Sequence, residues 1–113
     1  MLIVDDHEGF RDAARSMLEA EGFDVVGEAG DGEGALVEVE RLRPQVVLVD
    51  IQLPGLDGFA VAERLAVSPA APLVVLISSR DAAAYGARVA RAPALGFLSK
   101  QELTGVALAG LLA

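Results

Sequence analysis

The chain has 113 residues, 53% of them hydrophobic and 23% charged, which suits one well-packed globular domain over residues 1–113 and excludes a disordered chain. Seventeen acidic residues against nine basic ones give a formal charge of −8, which repels phosphate and argues against direct binding of nucleic acid or an anionic membrane. There is no cysteine, so disulfides, thiolate nucleophiles and cysteine metal sites are excluded.

Leu2-Ile3-Val4 is a short apolar run that ends at Asp5-Asp6 and reads as strand one; Met1 enters it directly, with no signal-peptide pattern. Phe10, Ala13, Ala14, Met17 and Leu18 recur at helical spacing and predict helix one, ended by Gly22. Val25-Val26 predicts a short, more polar strand two, suited to a sheet edge. Gly30-Asp31-Gly32 is a turn; Ala35, Leu36, Val39 and Leu42 stripe helix two, closed by Pro44. Val46-Val47-Leu48-Val49 is an unbroken apolar run ending in Asp50, the pattern of a strand covered on both faces with an acid at its rim. Phe59, Ala62, Leu65 and Ala66 stripe helix three, stopped by Ser68-Pro69. Leu73 to Ile77 is a second unbroken run, strand four. The longest uncharged stretch, Leu65 to Ser79, contains Pro69 and Pro72 and is too short to span a bilayer, so a cytoplasmic location is expected. Asp81 is the expected N-cap of a weak helix four that carries Gly86 and ends by Pro93. Leu95 to Leu98 is strand five, and Leu103 to Leu112 a final helix.

Alternating strands and helices demand a parallel sheet with right-handed crossovers. Placing the continuous runs centrally and the weaker ones at the edges gives the order 2-1-3-4-5, a doubly wound, flavodoxin-like (βα)5 α/β fold. Its switch point lies between strands one and three, where Asp5, Asp6 and Asp50 converge. Close carboxylates repel unless a cation intervenes, and an oxygen-only set suits Mg²⁺ or Mn²⁺. Ser78 follows strand four and Lys100 follows strand five on the same rim. A hydroxyl and an ammonium are groups that hold phosphoryl oxygens, and Asp carboxylates form acyl phosphates.

Asp5-Asp6, Asp50, Ser78 and Lys100, each ending a strand on one βα frame, resemble the receiver domain of bacterial two-component response regulators over essentially the whole chain. The resemblance implies that Asp50 accepts a phosphoryl group from a sensor histidine kinase or phosphotransfer protein. It further implies that Asp6 binds Mg²⁺ directly, Asp5 mostly through water, and the backbone carbonyl of Gln52 as a further ligand. Ser78 would bind the phosphoryl group and move on activation, with Lys100 paired to that group, so Lys100 is expected to matter for switching or phosphorylation and not for folding. Phe97 matches the switch aromatic, and Leu53-Pro54-Gly55-Leu56-Asp57-Gly58 resembles the loop after the phosphoacceptor. Such a domain is a signalling module whose catalysis is confined to its own phosphorylation and dephosphorylation. Two departures stand out. Gln101 follows Lys100 where the family commonly has proline, so a trans bond is expected there, because a cis bond before a non-proline costs about 2.5–4 kcal/mol. Phe97 also lacks a tyrosine hydroxyl. Ser79 lies beside Ser78, and Ser78 is the favoured switch residue.

Gly30-Asp31-Gly32-Glu33-Gly34-Ala35 fits a dinucleotide-binding pattern, but Asp31 and Glu33 would oppose a pyrophosphate and strand two is an edge. Flavin binding would want hydroxyls and glycines where Asp5-Asp6 stand. A Mg²⁺-dependent phosphatase would want an acid where Gln52 stands. The alternative that keeps the fold is a non-phosphorylated pseudo-receiver acting as an interaction module. His7 reads as a solvated loop residue. Gln52 and Arg80 each lie two residues past a site residue and are expected to tune dephosphorylation, Arg80 by covering the phosphoryl group. Leu103, Val106, Ala107, Gly110 and Leu111 form one stripe expected to dock helix five on the sheet. Leu108 and Leu112 then fall outside it and, with Tyr85 and Val89 of helix four, form an expected partner face for a homodimer or a missing C-terminal effector.

Overall fold

The unbroken apolar runs form the middle of a parallel sheet. In the computed structural model, which describes residues 1–113, the strands are β1 (Leu2–Val4), β2 (Gly27–Ala29), β3 (Val46–Asp50), β4 (Leu73–Ser78) and β5 (Gly96–Ser99). Their order is β2-β1-β3-β4-β5, as the sequence implied. Side chains alternate between two apolar layers. Leu2, Val4, Val47, Val49, Val74 and Leu76 face one layer, with α2 (Gly32–Leu42) and α3 (Gly58–Ala66). Ile3, Leu48, Val75 and Ile77 face the other, with α1 (Glu8–Ala20) and α5 (Gly105–Leu112). Period-two alternation with apolar residues on both faces is why these runs carry no polar residue. No helix is long and apolar enough to cross a membrane.

Register fixes the rim. Val4 pairs with Val49 and Asp50 with Ile77, so Asp5, Asp50 and Ser78 emerge at one end of adjacent strands. The chain leaves β3 under tight constraint: Gly58 N donates to Ile51 O at 2.9 Å, and a Cβ at Gly58 would collide with the Asp50 carbonyl. Asp57 then caps α3 by accepting from Ala60 N at 2.9 Å. Asp31 caps α2 in the same way, accepting from Gly34 N at 2.6 Å, so the glycine-rich stretch is a helix entry beside an edge strand.

Four elements depart from the sequence-based bounds. The second strand is Gly27–Ala29 and not Val25-Val26: Val26 N donates to Met1 O, and the ladder continues through Glu28 because Arg11 and Arg15 neutralise that acid. The fourth helical segment is divided. A 3-10 turn (Ala82–Tyr85) and α4 (Ala87–Arg91) meet at Gly86, whose φ of 59° and ψ of −137° fit only glycine, and the Asp81 side chain makes no cap. The fifth strand is Gly96–Ser99, one residue later than Leu95–Leu98.

The last helix begins at Gly105, because Thr104 caps it by accepting from Ala107 N at 3.0 Å; Leu103 is buried ahead of it. With Leu103 off the helix, the core-facing stripe is Gly105, Leu108, Leu111 and Leu112. Leu108 is wholly buried, and Leu112 packs against the same layer, while Val106 is 83% exposed and Gly110 lies outside. Tyr85 and Val89 likewise pack inward against the sheet. The partner face expected through Tyr85, Val89, Leu108 and Leu112 is therefore corrected at Leu108, which is wholly spent on the core; Tyr85, Val89 and Leu112 are half-buried against it.

Candidate functional site

Asp5 directly follows β1, Asp50 ends β3, Ser78 ends β4, and Lys100 directly follows β5. Lys100 N donates to Ser78 O at 2.7 Å, which carries the Lys100 side chain inward. Its Nζ lies 2.6 Å from Asp5 Oδ2 and 3.1 Å from Asp50 Oδ2, so one ammonium joins two buried carboxylates. Lys100 also lies 4.3 Å above the Phe10 ring, a cation–π contact from the first turn of α1. In the unmodified protein Lys100 thus already lies against buried negative charge, which points to a part in folding besides its expected part in switching or phosphorylation. The peptide bond before Gln101 is trans, as expected. Glu102 closes this turn instead, accepting from both the N and Oγ of Ser99, and those bonds hold its carboxyl below the usual value.

The electrostatics follow from the burial. Desolvation pushes the Asp50 carboxyl above its ordinary value and the Asp5 charge adds to this; the Gln52 N–H and Lys100 pull it back. For Lys100, burial pulls the ammonium down, but its contacts with Asp5 and Asp50 more than offset that and hold it above its ordinary value. Asp5 Oδ2 is buried, and Lys100 Nζ is its charge partner. Asp6 is the more exposed acid of the pair. His7 is 74% exposed, as a loop residue should be, yet its Nδ1 lies 3.0 Å from Asp6 Oδ1 and 3.4 Å from Asp5 Oδ1.

Asp50 and Ser78 share a local device. Gln52 N donates to Asp50 Oδ1 at 3.0 Å, and Arg80 N donates to Ser78 Oγ at 3.1 Å. Each side chain is fixed by the backbone two residues on. The Gln52 and Arg80 side chains are exposed and make no hydrogen bond or ion pair. Ser78 is wholly buried and Ser79 exposed, which separates the two hydroxyls. Phe97 is half-buried, edge-on to Tyr85 with centroids 6.3 Å apart.

Three contacts were not read from the sequence. Tyr85 reaches Ser78, its hydroxyl 2.5 Å from Ser78 Oγ; the signal available was that this is the chain's one tyrosine, seven residues past Ser78. Phe10 lies under Lys100. Arg11 donates to both the Asp5 carbonyl and Glu28, tying α1 to the rim and to β2. The arrangement as a whole offers a buried carboxylate, a cation, a buried hydroxyl and an acid pair, groups that suit phosphoryl transfer to a carboxylate.

Comparison with known proteins gives a consistent result. The family model for the response regulator receiver domain matches residues 1–108. The DNA-binding transcriptional activator EvgA of Escherichia coli (strain K12) is 33% identical over 101 residues, covering 89% of this chain and 50% of EvgA. A protein-glutamate methylesterase/protein-glutamine glutaminase of Myxococcus xanthus is 49% identical over 80 residues, covering 70% of this chain and 23% of that protein. Among solved structures, a two-component response regulator of the LuxR family from Aurantimonas sp. superposes with a TM-score of 0.85 at 26% identity, over 98% of this chain and 83% of that one. The chain spans half the length of EvgA and less than a quarter of the methylesterase.

Proposed function

The chain belongs to the response regulator receiver domain family, and on that premise we propose that it accepts a phosphoryl group on Asp50 from a histidine kinase or phosphotransfer protein and passes the change to an effector. The observation that carries this reading is the Lys100 ammonium held between the buried Asp5 and Asp50 carboxylates. That pairing sets a nucleophile, a charge-neutralising cation and an acid at one rim, with the buried Ser78 hydroxyl on the neighbouring strand.

In the reaction, a carboxylate oxygen of Asp50 attacks the phosphorus of a phosphohistidine. The new P–O bond forms as the P–N bond breaks, and the imidazole leaves and takes up a proton. Lys100 turns from Asp50 to a phosphoryl oxygen, and Ser78 donates its hydroxyl proton to another. The donor set fits a hard divalent cation: it supplies carboxylate oxygens, and the buried Asp5 and Asp50 carboxylates share a single ammonium between them. Asp5, Asp6, Asp50 and the Gln52 backbone carbonyl are the residues that would hold Mg²⁺ or Mn²⁺, which supplies charge neutralisation for the carboxylates and the incoming phosphoryl oxygens. A cytoplasmic location belongs to the same reading, because the kinase's phosphohistidine is formed from ATP.

Intact mass with a small acyl phosphate and Mg²⁺ tests this. The wild type and Asp57→Asn should gain one phosphoryl group, and Asp50→Asn none. No gain by the wild type at saturating donor would favour the pseudo-receiver alternative.

A further inference from the structure

Tyr85 does two things at once. Its ring is wedged edge-on between Phe59, at 5.7 Å, and Phe97, at 6.3 Å. Its hydroxyl meets Ser78 Oγ at 2.5 Å. The segment it anchors is otherwise lightly held: neither the 3-10 turn nor α4 contains a fully buried residue, Gly86 breaks the backbone between them, and α4 adds the half-buried Val89 and the Arg88 guanidinium, 4.2 Å over the Phe59 ring and 3.6 Å from Asp57. Tyr85 is the side chain of this segment that hydrogen-bonds a rim residue.

The direction of the hydrogen bond follows from what the hydroxyls can do. Ser78 Oγ has one proton and two acceptor sites, and Arg80 N already donates to it. Ser78 is wholly buried, and its hydroxyl has no other partner to take its proton than Tyr85. Leaving that proton unbonded would cost the full desolvation of a buried donor. Tyr85 is only half-buried, so its own proton can go to water. Ser78 is thus the donor and the phenol oxygen the acceptor.

We propose that Tyr85 is a positioning residue that holds the Ser78 hydroxyl proton in the unmodified protein and gives it up when a phosphoryl group arrives on Asp50. The inference rests on the receiver reading and adds the group that competes with the phosphoryl oxygen for Ser78. Ser78 has one proton and cannot serve both acceptors. Binding the phosphoryl group therefore frees the phenol, and the segment Ala82–Arg91 loses its hydrogen bond to the rim while keeping its apolar contacts through Tyr85 and Val89 and the Arg88 contacts with Phe59 and Asp57. The coupling hydroxyl that Phe97 lacks on β5 is supplied from the 3-10 turn.

The test is a double-mutant cycle on the rate of phosphorylation by acetyl phosphate with Mg²⁺, read by intact mass. Tyr85→Phe keeps the ring and removes the competing acceptor. It should raise the rate about fivefold, the worth of one neutral hydrogen bond. In a Ser78→Ala background the same change should have no effect, since there is no proton to hold. A purely structural role for Tyr85 would lower the rate in both backgrounds. A second readout is spectroscopic. With one tyrosine and no tryptophan, the intrinsic emission reports Tyr85 alone. Adding fluoroberyllate, a phosphoryl mimic, with Mg²⁺ should shift wild-type emission toward that of unmodified Ser78→Ala. Equal rates for Tyr85→Phe and a phosphorylatable wild type, or emission unmoved by the mimic, would overturn the inference and leave the receiver reading intact. A wild type that takes up no phosphoryl group would overturn both.

Discussion

Replacing Lys100 by alanine should destabilise the unmodified protein, and divalent cation should restore much of the loss. Lys100 Nζ is within 3.1 Å of both Asp5 and Asp50, with the Lys100 side chain 17% exposed and the two carboxylates all but sealed from solvent. Removing one partner of a buried ion pair costs about 3–5 kcal/mol, because the remaining charge is left uncompensated. Two features reduce that here. The lysine reaches partly into solvent, and the carboxylate pair can take up a proton. A loss of roughly 2–4 kcal/mol follows, which for a domain of this size is a fall in Tm of roughly 10–20 °C. Lys100→Met, which retains an apolar stem over Phe10, should lose nearly as much, since the deficit is of charge and not of packing. Thermal and urea unfolding in chelator, then with Mg²⁺, measure both effects. Mg²⁺ should stabilise the alanine variant more than the wild type, because the ion replaces the missing cation between the same carboxylates. A loss below about 0.5 kcal/mol in chelator, the range of ordinary surface substitutions, would refute the reasoning, as would a loss that Mg²⁺ leaves unchanged.

Three further outcomes follow from other parts of the molecule. The hydrogen bond from Arg15, with Arg11 assisting, holds the Glu28 carboxyl below its ordinary value, so this pair stabilises the fold above the unfolded carboxylate pKa and the benefit is lost as pH falls through the lower folded value; Glu28→Gln should cost about 1 kcal/mol at neutral pH and flatten the acid limb of a urea-stability profile, and an unchanged profile would show the cluster to be inert. Leu108→Ala should cost about 2–5 kcal/mol as a core truncation while Val106→Ala stays within about 0.5 kcal/mol; equal losses in equilibrium unfolding would contradict the orientation of α5. Arg80→Ala should shorten the lifetime of the phosphorylated protein by uncovering the phosphoryl group, followed as loss of the added mass with time; an unchanged or longer lifetime would show that Arg80 is only a solvated side chain.

The sheet order was legible because its central strands are unbroken apolar runs: Val46–Val49 and Leu73–Ile77 admit no amphipathic alternative. Asp5, Asp50 and Ser78 were legible on the rim for the same reason, since each stands directly where such a run stops, and Lys100 follows the shorter fifth strand. Orientation was lost where a helix has no polar face. Nothing in Leu103 to Leu112 is charged, so periodicity could not say which side faces the sheet, and two residues of error at the start turned Leu108 from core to surface. The cap at Thr104 was the available correction. At β2, Glu28 disguised a strand because its partners, Arg11 and Arg15, lie in another element. Lys100 was read by its implied role toward a phosphoryl group, whereas its folding role appears only when Asp5 and Asp50 are seen to be buried on either side of it. The Tyr85–Ser78 bond depends on a glycine break and a 3-10 turn, neither of which leaves a periodic trace.

The central claim is that Asp50, among several acids near this rim, is the phosphoryl acceptor. Borohydride reduction of the phosphorylated protein converts an aspartyl phosphate to homoserine, and peptide sequencing by mass then locates it. A single homoserine at position 50, formed only after exposure to phosphodonor and Mg²⁺, is the result the account predicts. Homoserine at position 5, 6 or 57, or none from a protein that has gained the phosphoryl mass, would contradict it.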